Sequence, residues 1–423
     1  MIHKSPLIET PSPRRGSRIL LLLLVLALCL SSFGAGAFTV WLASSPLMPE
    51  IAKATSAATP TPEATPQVTR EDGIKLLTQI MDILDAEYID PKALDNARLL
   101  YGAVSGLVAA VGDSHTMFQE PVAAGFEQER MEGTFEGIGA NVEMRDNKLT
   151  IALPLPGSPA LKAGLLPGDV VLAVDGQTIA KLSITEAVKL IRGPRGSEVK
   201  LSIQRVGVAD PFIVSVTRDR IEVATVSSKM LDGNIAYVQL SIFNAVATKQ
   251  LSEALRTLLA QKPRGLVLDL RGNPGGYLTT AVEVASQFLP RNTLILSEVR
   301  RDQPAEEYRV KVPGLATLIP LVVLIDGGSA SASEIVAGAI QDFHRGVIIG
   351  SQSYGKGSVQ ATHDLLNGSS LRVTIAKWNR PNGTNIDGNG IKPDIEVSRT
   401  QADFDAGLDP QLERAVQELS KGQ

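Results

Sequence analysis

One cysteine, Cys29, occurs in 423 residues. That count excludes an intramolecular disulfide framework and any metal site built on cysteine. Histidine is almost as scarce, with four residues: His3, His115, His344 and His363. None of them carries the surroundings of a histidine-based triad, and His344 reads as a helix C-terminal residue. Basic excess is also missing, since the formal net charge is −4, which argues against nucleic acid as the main partner. No internal repeat appears. With 44% hydrophobic and 20% charged residues, most of the chain is globular, and its length allows two or three domains with real cores.

The N-terminal residues stand apart. Arg14, Arg15 and Arg18 precede an apolar run from Ile19 to about Ala43, long enough to cross a hydrocarbon core of ~30 Å. The arginines place residues 1–18 in the cytoplasm and the working domains outside. An uncleaved signal anchor over 19–43 is the first reading, and a signal peptide cut near Ala35-Gly-Ala37 is the second. Leu28 is too bulky for the residue before a lipoprotein Cys29. Residues 44–69, rich in Ala, Thr and Pro, form a spacer from the membrane.

Apolar positions at helical spacing, from Ile74 to Leu84 and from Leu99 to Val111, predict two or three helices within 70–120, broken at Asp90-Pro91. From about 130 to 218 the texture turns β-rich, with a helix over Thr185–Ile191 and a closing strand over Val199–Gln204. The Gly137-Ile-Gly139 loop, the Ala163-Gly-Leu-Leu-Pro-Gly-Asp169 turn and the Val174-Asp-Gly176 turn resemble a PDZ domain, a peptide-binding module. That resemblance implies a carboxylate cradle at Gly137, Ile138, Gly139 and Ala140. From 220 to 400, apolar strands such as Gly265–Leu270 and Leu321–Ile325 alternate with helices, which implies an α/β core with a covered sheet. A short amphipathic helix closes the chain over 401–423.

Two segments carry chemistry. Gly327-Gly-Ser-Ala-Ser-Ala-Ser-Glu334 lies between a buried strand and a helix start, where free N–H groups and a positive field favour an oxyanion. Ser329, Ser331 and Ser333 are all candidates, and each alone would serve as an ordinary N-cap. Gly355-Lys-Gly-Ser-Val-Gln360 offers Lys356 as a base, provided that burial lowers its pKa by roughly 3 units. A P-loop reading of Gly350 to Lys356 fails, because Gly357 stands where Mg²⁺ needs a hydroxyl and a strand follows where a helix is needed. An oxyanion needs two donors. One is the N–H of Ala332 next to the central serine; the other comes from the glycine turn Asp269-Leu-Arg-Gly-Asn-Pro-Gly-Gly276.

These segments, with Ala337-Gly-Ala-Ile-Gln-Asp342 and Gly390-Ile-Lys-Pro-Asp394, resemble the carboxyl-terminal processing peptidases, S41-type serine peptidases with a Ser-Lys dyad. The likeness spans roughly Arg70 to Leu419. It implies an α/β core with a ClpP/crotonase-like sheet and helices, a β-rich PDZ domain and an N-terminal helical cap. It also implies Ser331 as nucleophile, Lys356 as general base and Gln360 as the residue positioning the lysine. Ala332 and Gly276 become the oxyanion donors, with Gly275 the close alternative. Two segments depart from the family pattern: Gly112-Asp-Ser-His-Thr-Met-Phe118, and Ser351-Gln-Ser-Tyr354 ahead of the lysine. The expected activity is an exported endopeptidase that needs neither metal nor cofactor. It captures polypeptides with apolar C-termini, touches the membrane through its N-terminal helix, and leaves an oligomer open. A non-catalytic PDZ scaffold is the alternative from another class.

Overall fold

Strands Gly265–Asp269 and Leu321–Ile325 are buried at every position, so they read as continuous apolar runs rather than alternating ones. The computed structural model of the chain describes residues 69–421. These two strands lie at the centre of a six-stranded sheet ordered Val226–Leu231, Ile235–Leu240, Gly265–Asp269, Leu321–Ile325, Val347–Gly350 and Ile395–Glu396. The first pair is antiparallel and the remaining pairs are parallel.

Period-2 geometry sends alternate residues to opposite faces. Leu266, Leu268, Val323 and Ile325 join one large core with helices Ala247–Leu259, Leu278–Ser286 and Ala332–Asp342. Val267, Val322, Leu324 and Ile349 join a second core under helix Pro410–Ser420. Both faces are therefore covered, as the unalternating strands require.

A second, five-stranded sheet contains Met117–Gln119, Ser370–Asn379, Leu294–Arg300 and Glu306–Arg309 in that order, with Ser358–Asp364 also paired to Ser370–Asn379. The sequence reading placed strands at Leu371–Ala376 and just after the lysine loop, but not at Met117–Gln119, Leu294–Arg300 or Glu306–Arg309. Helix Pro121–Glu132 was not anticipated either. It buries no residue and has no sustained apolar stripe to betray it.

The segment between the helices and the core forms its own apolar cluster, including Ile138, Ile151, Leu165, Val171, Leu201 and Ile203. Its antiparallel sheet runs Ala140–Arg145, Lys148–Pro154, Val170–Val174, Glu198–Gln204 and Phe212–Thr217, and Gln177–Thr178 pairs with Val170–Val174. Glu198–Gln204 is thus followed by a further strand rather than closing the segment. Thr134–Gly137 pairs separately with Asp219–Glu222. Helix Ile184–Ile191 begins in a capping box, with Ser183 and Glu186 exchanging bonds.

The described residues divide into two units, one up to Leu94 and the other from Asp95 onward. In the first, helix Arg70–Glu87 starts at a Thr69–Asp72 capping box, and a short 3₁₀ turn covers Pro91–Ala93. In the second, helix Asn96–Ala109 lies beside Met117–Gln119, where the Tyr101 and Phe118 rings meet at a tilt with centroids 5.6 Å apart. The basic residues 1–18, the apolar run 19–43 and most of the spacer lie outside the described residues. Among the described residues, no helix is long and apolar enough to cross a membrane.

Candidate active site

After Ile325 the chain turns through Asp326 to Ala330 and enters helix Ala332–Asp342. The Asp326 carboxylate accepts the N–H groups of Gly328 (2.9 Å) and Gly272 (2.8 Å), which ties this turn to the glycine turn after Asp269. Ser329 is buried, and its hydroxyl donates to the Leu270 carbonyl at 2.8 Å. Ser333 is buried too, donating to the Asn273 carbonyl at 2.9 Å. Both hydroxyls are committed to holding the two turns together.

Ser331 differs from both. It has φ 53° and ψ −111°, outside the regions that a side chain with a Cβ prefers. Such a conformation costs about 1–3 kcal/mol and persists only where the surroundings enforce it. The enforcement is visible. Ser331 N–H donates to Glu334 Oε2 at 2.7 Å, and its carbonyl accepts the N–H groups of Glu334 and Ile335 at 2.9 Å each.

Glu334 reaches further. Its carboxylate is fully buried. Oε2 also accepts Lys356 N–H at 2.9 Å, while Oε1 accepts Gly355 N–H and the Ser353 hydroxyl, each at 2.6 Å. One carboxylate thereby pins the serine turn to the lysine loop. Sequence reasoning passed over this role, although Ser331 followed by Glu334 has the spacing of a capping box.

The glycines beside Lys356 serve close packing of backbone. A Cβ on Gly355 would meet the Asn389 and Gly390 nitrogens at 2.9 and 2.8 Å, and one on Gly357 would meet Asp387 N at 2.8 Å. The 385–390 loop fills the space beside both glycines. Tyr354, just before the lysine loop, is exposed, whereas Val359 lines the cleft.

Burial, followed by the Arg372 guanidinium, pushes the Lys356 ammonium down to about 8, against the opposing pull of Asp113, Glu334 and Glu127. The amine forms no hydrogen bond with Ser331 Oγ among the described residues. Gln360 donates Nε2 to Ser358 Oγ at 2.9 Å and to Thr374 Oγ1 at 3.2 Å, and makes no bond to the lysine.

Two N–H groups lining the same cavity as Ser331 are unclaimed among the described residues. Ala332 occupies the first helical position, where no intrahelical acceptor exists. The Gly275 N–H is taken by Asn273 Oδ1 at 2.9 Å, whereas that of Gly276 enters no bond among the described residues. Of the two glycines, Gly276 is the one with a donor to offer. Gly275 contributes closeness, since a Cβ there would lie 2.9 Å from Ser331 Cβ.

Ser331, Ala332, Gly275, Gly276, Lys356 and Gln360 line one cavity of about 620 Å³, with Leu278, Ile335, Val359 and Trp378 as apolar wall. Helix Pro121–Glu132 supplies Glu127, Arg130 and Met131 to the same cavity. Gly137 to Ala140 lie apart from it, in the β-rich segment. There the Ile138 and Gly139 carbonyls accept from Ala160 (2.8 Å) and Leu155 (2.9 Å), while the N–H groups of Ile138 and Gly139 have no acceptor among the described residues. The adjoining strand Ala140–Arg145 is a sheet edge, open to an added strand. Arg192, just after helix Ile184–Ile191, pairs with Glu129 and stacks 5.0 Å from the Phe126 ring centre. It so joins the β-rich segment to the helix lining the cavity.

A mostly parallel sheet whose central strand leads to a strained serine, with a half-buried lysine in the same cavity and two N–H groups unbonded among the described residues, defines a serine-type peptidase scaffold. Residues 234–397 match peptidase family S41, and residues 150–205 match the PDZ domain. The carboxy-terminal-processing protease of Bartonella bacilliformis is 37% identical over 322 residues, covering 75% of this chain and 74% of that protein. The carboxyl-terminal-processing protease of Synechocystis is 34% identical, covering 82% and 87%. Among solved structures, the photosystem II D1 C-terminal processing protease is 28% identical, covering 78% of this chain and 94% of that one, with a TM-score of 0.44. The chain belongs to the carboxy-terminal processing proteases of peptidase family S41, and carries their PDZ domain. The non-catalytic scaffold reading gives way to that membership.

Proposed function

We propose that the chain is an exported endopeptidase that binds substrate C-termini at its PDZ domain and cleaves nearby with a Ser331–Lys356 dyad. The observation carrying this reading is the shared carboxylate of Glu334, which fixes the backbones of Ser331 and Lys356 to one another within a single cleft. The neutral Lys356 amine takes the proton of Ser331 as Oγ attacks the scissile carbonyl carbon. The resulting oxyanion is held by the N–H groups of Ala332 and Gly276. As the peptide bond breaks, the lysine ammonium returns its proton to the leaving amine. Water then repeats the sequence on the acyl-enzyme.

Gln360 positions the lysine, and Gly137 to Ala140 receive the substrate's terminal carboxylate. Residues 70–120 act as cap, 130–218 as PDZ domain, 220–400 as core and 401–423 as closing helix. Residues 19–43 anchor the protein in a membrane with these parts outside, and envelope proteins with apolar C-termini are the substrates. An active-site serine probe should label the wild type but not Ser331→Ala, and both Ser331→Ala and Lys356→Ala should lose cleavage of a protein with an apolar C-terminal tag. Full cleavage by either variant rejects the dyad.

A further inference from the structure

No residue of helix Pro410–Ser420 lines the cavity, yet the start of this helix is bonded to the glycine turn that does. Asp409 is the N-cap, and its Oδ1 accepts Leu412 N–H at 3.0 Å. The same carboxylate takes two bonds from the Arg271 guanidinium, Nη1 to Oδ1 at 2.8 Å and Nη2 to Oδ2 at 2.9 Å. Arg399 stands 3.8 Å from it. Gln411 Oε1 accepts from Arg271 Nη1 at 3.0 Å, and the Gln411 amide donates to the Val397 carbonyl at 2.8 Å, which fixes the end that faces Arg271. From the other side, Asp269 accepts Nη2 at 2.6 Å and Nε at 3.0 Å. All five guanidinium N–H groups are thereby used. With 11% of its side chain exposed, Arg271 has little water to replace a lost partner.

Arg271 stands where the glycine turn and the serine turn meet. Its neighbour Leu270 accepts the Ser329 hydroxyl, and its neighbour Gly272 donates to Asp326. Both of those partners belong to the turn that carries Ser331. Just beyond, the Asn273 carbonyl accepts Ala330 N–H and the Ser333 hydroxyl, while Asn273 Oδ1 accepts Gly275 N–H. A shift at Arg271 therefore reaches Gly276 along the glycine turn and Ala332 across it.

We propose that Asp409 is a positioning residue for the oxyanion donors, acting through Arg271 to hold the glycine turn against the serine turn. The inference rests on the Ser-Lys reading above. A carboxylate that takes two parallel bonds from a guanidinium fixes its orientation as well as its distance. Asp269 is two residues from Arg271, so its bonds travel with the turn. Asp409 is 138 residues away in the chain and supplies a reference outside the turn. Helix Pro410–Ser420 is itself seated on the sheet through Leu412, Ala415, Val416 and Leu419. The closing helix thereby gives the oxyanion turn a fixed support from the face of the sheet opposite the large core.

The test compares purified full-length Asp409→Asn, Gln411→Met, Val416→Ala and Lys356→Ala with wild type, using a peptide substrate with an apolar C-terminus and a peptide aldehyde of the same sequence. Asp409→Asn keeps an oxygen that can cap Leu412 N–H but loses the charge and one of the two acceptors facing Arg271. Val416→Ala thins the packing under the same helix at a residue that makes no bond to Arg271, and is the control for a loosened helix. On the aldehyde, Ser331 Oγ bonds to the carbonyl carbon, the π pair moves to oxygen and the serine proton passes to Lys356. The adduct's oxyanion then needs the same two donors as the reaction. Removing an oxyanion donor costs roughly 100- to 1,000-fold in kcat, and displacing one costs about tenfold. In Asp409→Asn, kcat falls about tenfold at unchanged KM and the aldehyde Ki rises by a similar factor. Gln411→Met, which removes a neutral acceptor, shows a smaller change in the same direction and serves as the test should Asp409→Asn fail to fold. Val416→Ala has a lower thermal midpoint with wild-type kcat and Ki. Wild-type kcat and Ki in the folded Asp409 and Gln411 variants, beside an inactive Lys356→Ala, overturn the proposal alone. So does a lowered kcat with an unchanged Ki, or an equal loss in Val416→Ala. Activity in Lys356→Ala sinks the underlying dyad.

Discussion

Replacing Glu334 by Gln tests whether one carboxylate holds the two halves of the site. Four donors converge on it: Ser331 N–H, Lys356 N–H, Gly355 N–H and the Ser353 hydroxyl. The substituted amide keeps one oxygen. Placed at the Oε2 position, that oxygen still serves Ser331 and Lys356, and the NH₂ group then faces Ser353 and Gly355. Ser353 can turn its hydroxyl and accept, but the Gly355 N–H cannot. One buried N–H is orphaned, costing about 1–3 kcal/mol. The remaining bonds lose their charge assistance, which adds roughly 1 kcal/mol each. A total of about 3–5 kcal/mol is a large share of a typical folding stability of roughly 5–15 kcal/mol. Urea denaturation should show that loss, and kcat should fall together with it because the bonds that fix Ser331 and Lys356 to one another lose the charge on their shared acceptor. The Glu334 charge also raises the lysine pKa, so the surviving activity should have its acid limb at lower pH than wild type. A variant of wild-type stability and wild-type kcat would refute the reasoning.

The pH profile of wild type is itself predicted. Lys356, held at about 8 by burial and Arg372, must be neutral to accept the serine proton, so kcat should rise with pH through about 8 and level above it. A limb near the ordinary lysine value of ~10.4 would show that the amine is solvated during turnover. The two oxyanion-turn glycines should respond differently to alanine. In Gly275→Ala the new Cβ meets Ser331 Cβ at 2.9 Å and Ala332 N at 3.0 Å, so kcat should fall sharply while the fold survives. In Gly276→Ala it meets the Phe243 carbonyl oxygen at 2.2 Å, inside the bridge joining Phe243 to Gly276, so the loss should appear first in thermal stability. Equal thermal midpoints for the two would contradict that difference.

The fold was legible where a repeating pattern met a covered surface. Gly265–Asp269 and Leu321–Ile325 announced themselves because both faces are buried. Phe212–Thr217 alternates buried with exposed residues, and Glu306–Arg309 has no buried residue, so neither stood out. The sequence reading drew Ser331, Lys356, Gln360 and the glycine turn from short motifs, and the chain brings them to one cavity. Helix Pro121–Glu132, which forms another wall, has no motif and went unnoticed. The hydrogen-bond partners of Gln360 were equally hidden, because Ser358 and Thr374 are ordinary strand residues until the pairing of Ser358–Asp364 with Ser370–Asn379 is known.

The serine itself shows why motif and mechanism are read at different ranges. Its backbone stands in a region that costs about 1–3 kcal/mol, and nothing within Ala330-Ser-Ala332 repays that cost. Compensation comes from afar. Glu334 binds its N–H, and Asn273 anchors the residues on both sides through Ala330 N–H at 3.0 Å and the Ser333 hydroxyl at 2.9 Å. Asn273 is in turn fixed by its own amide, which donates to the Leu240 carbonyl at 2.7 Å. The strain at Ser331 is therefore a property of three strand ends, those of Ile235–Leu240, Gly265–Asp269 and Leu321–Ile325, acting together. A change that loosens any of these strand ends should let Ser331 relax, whether or not it touches the serine.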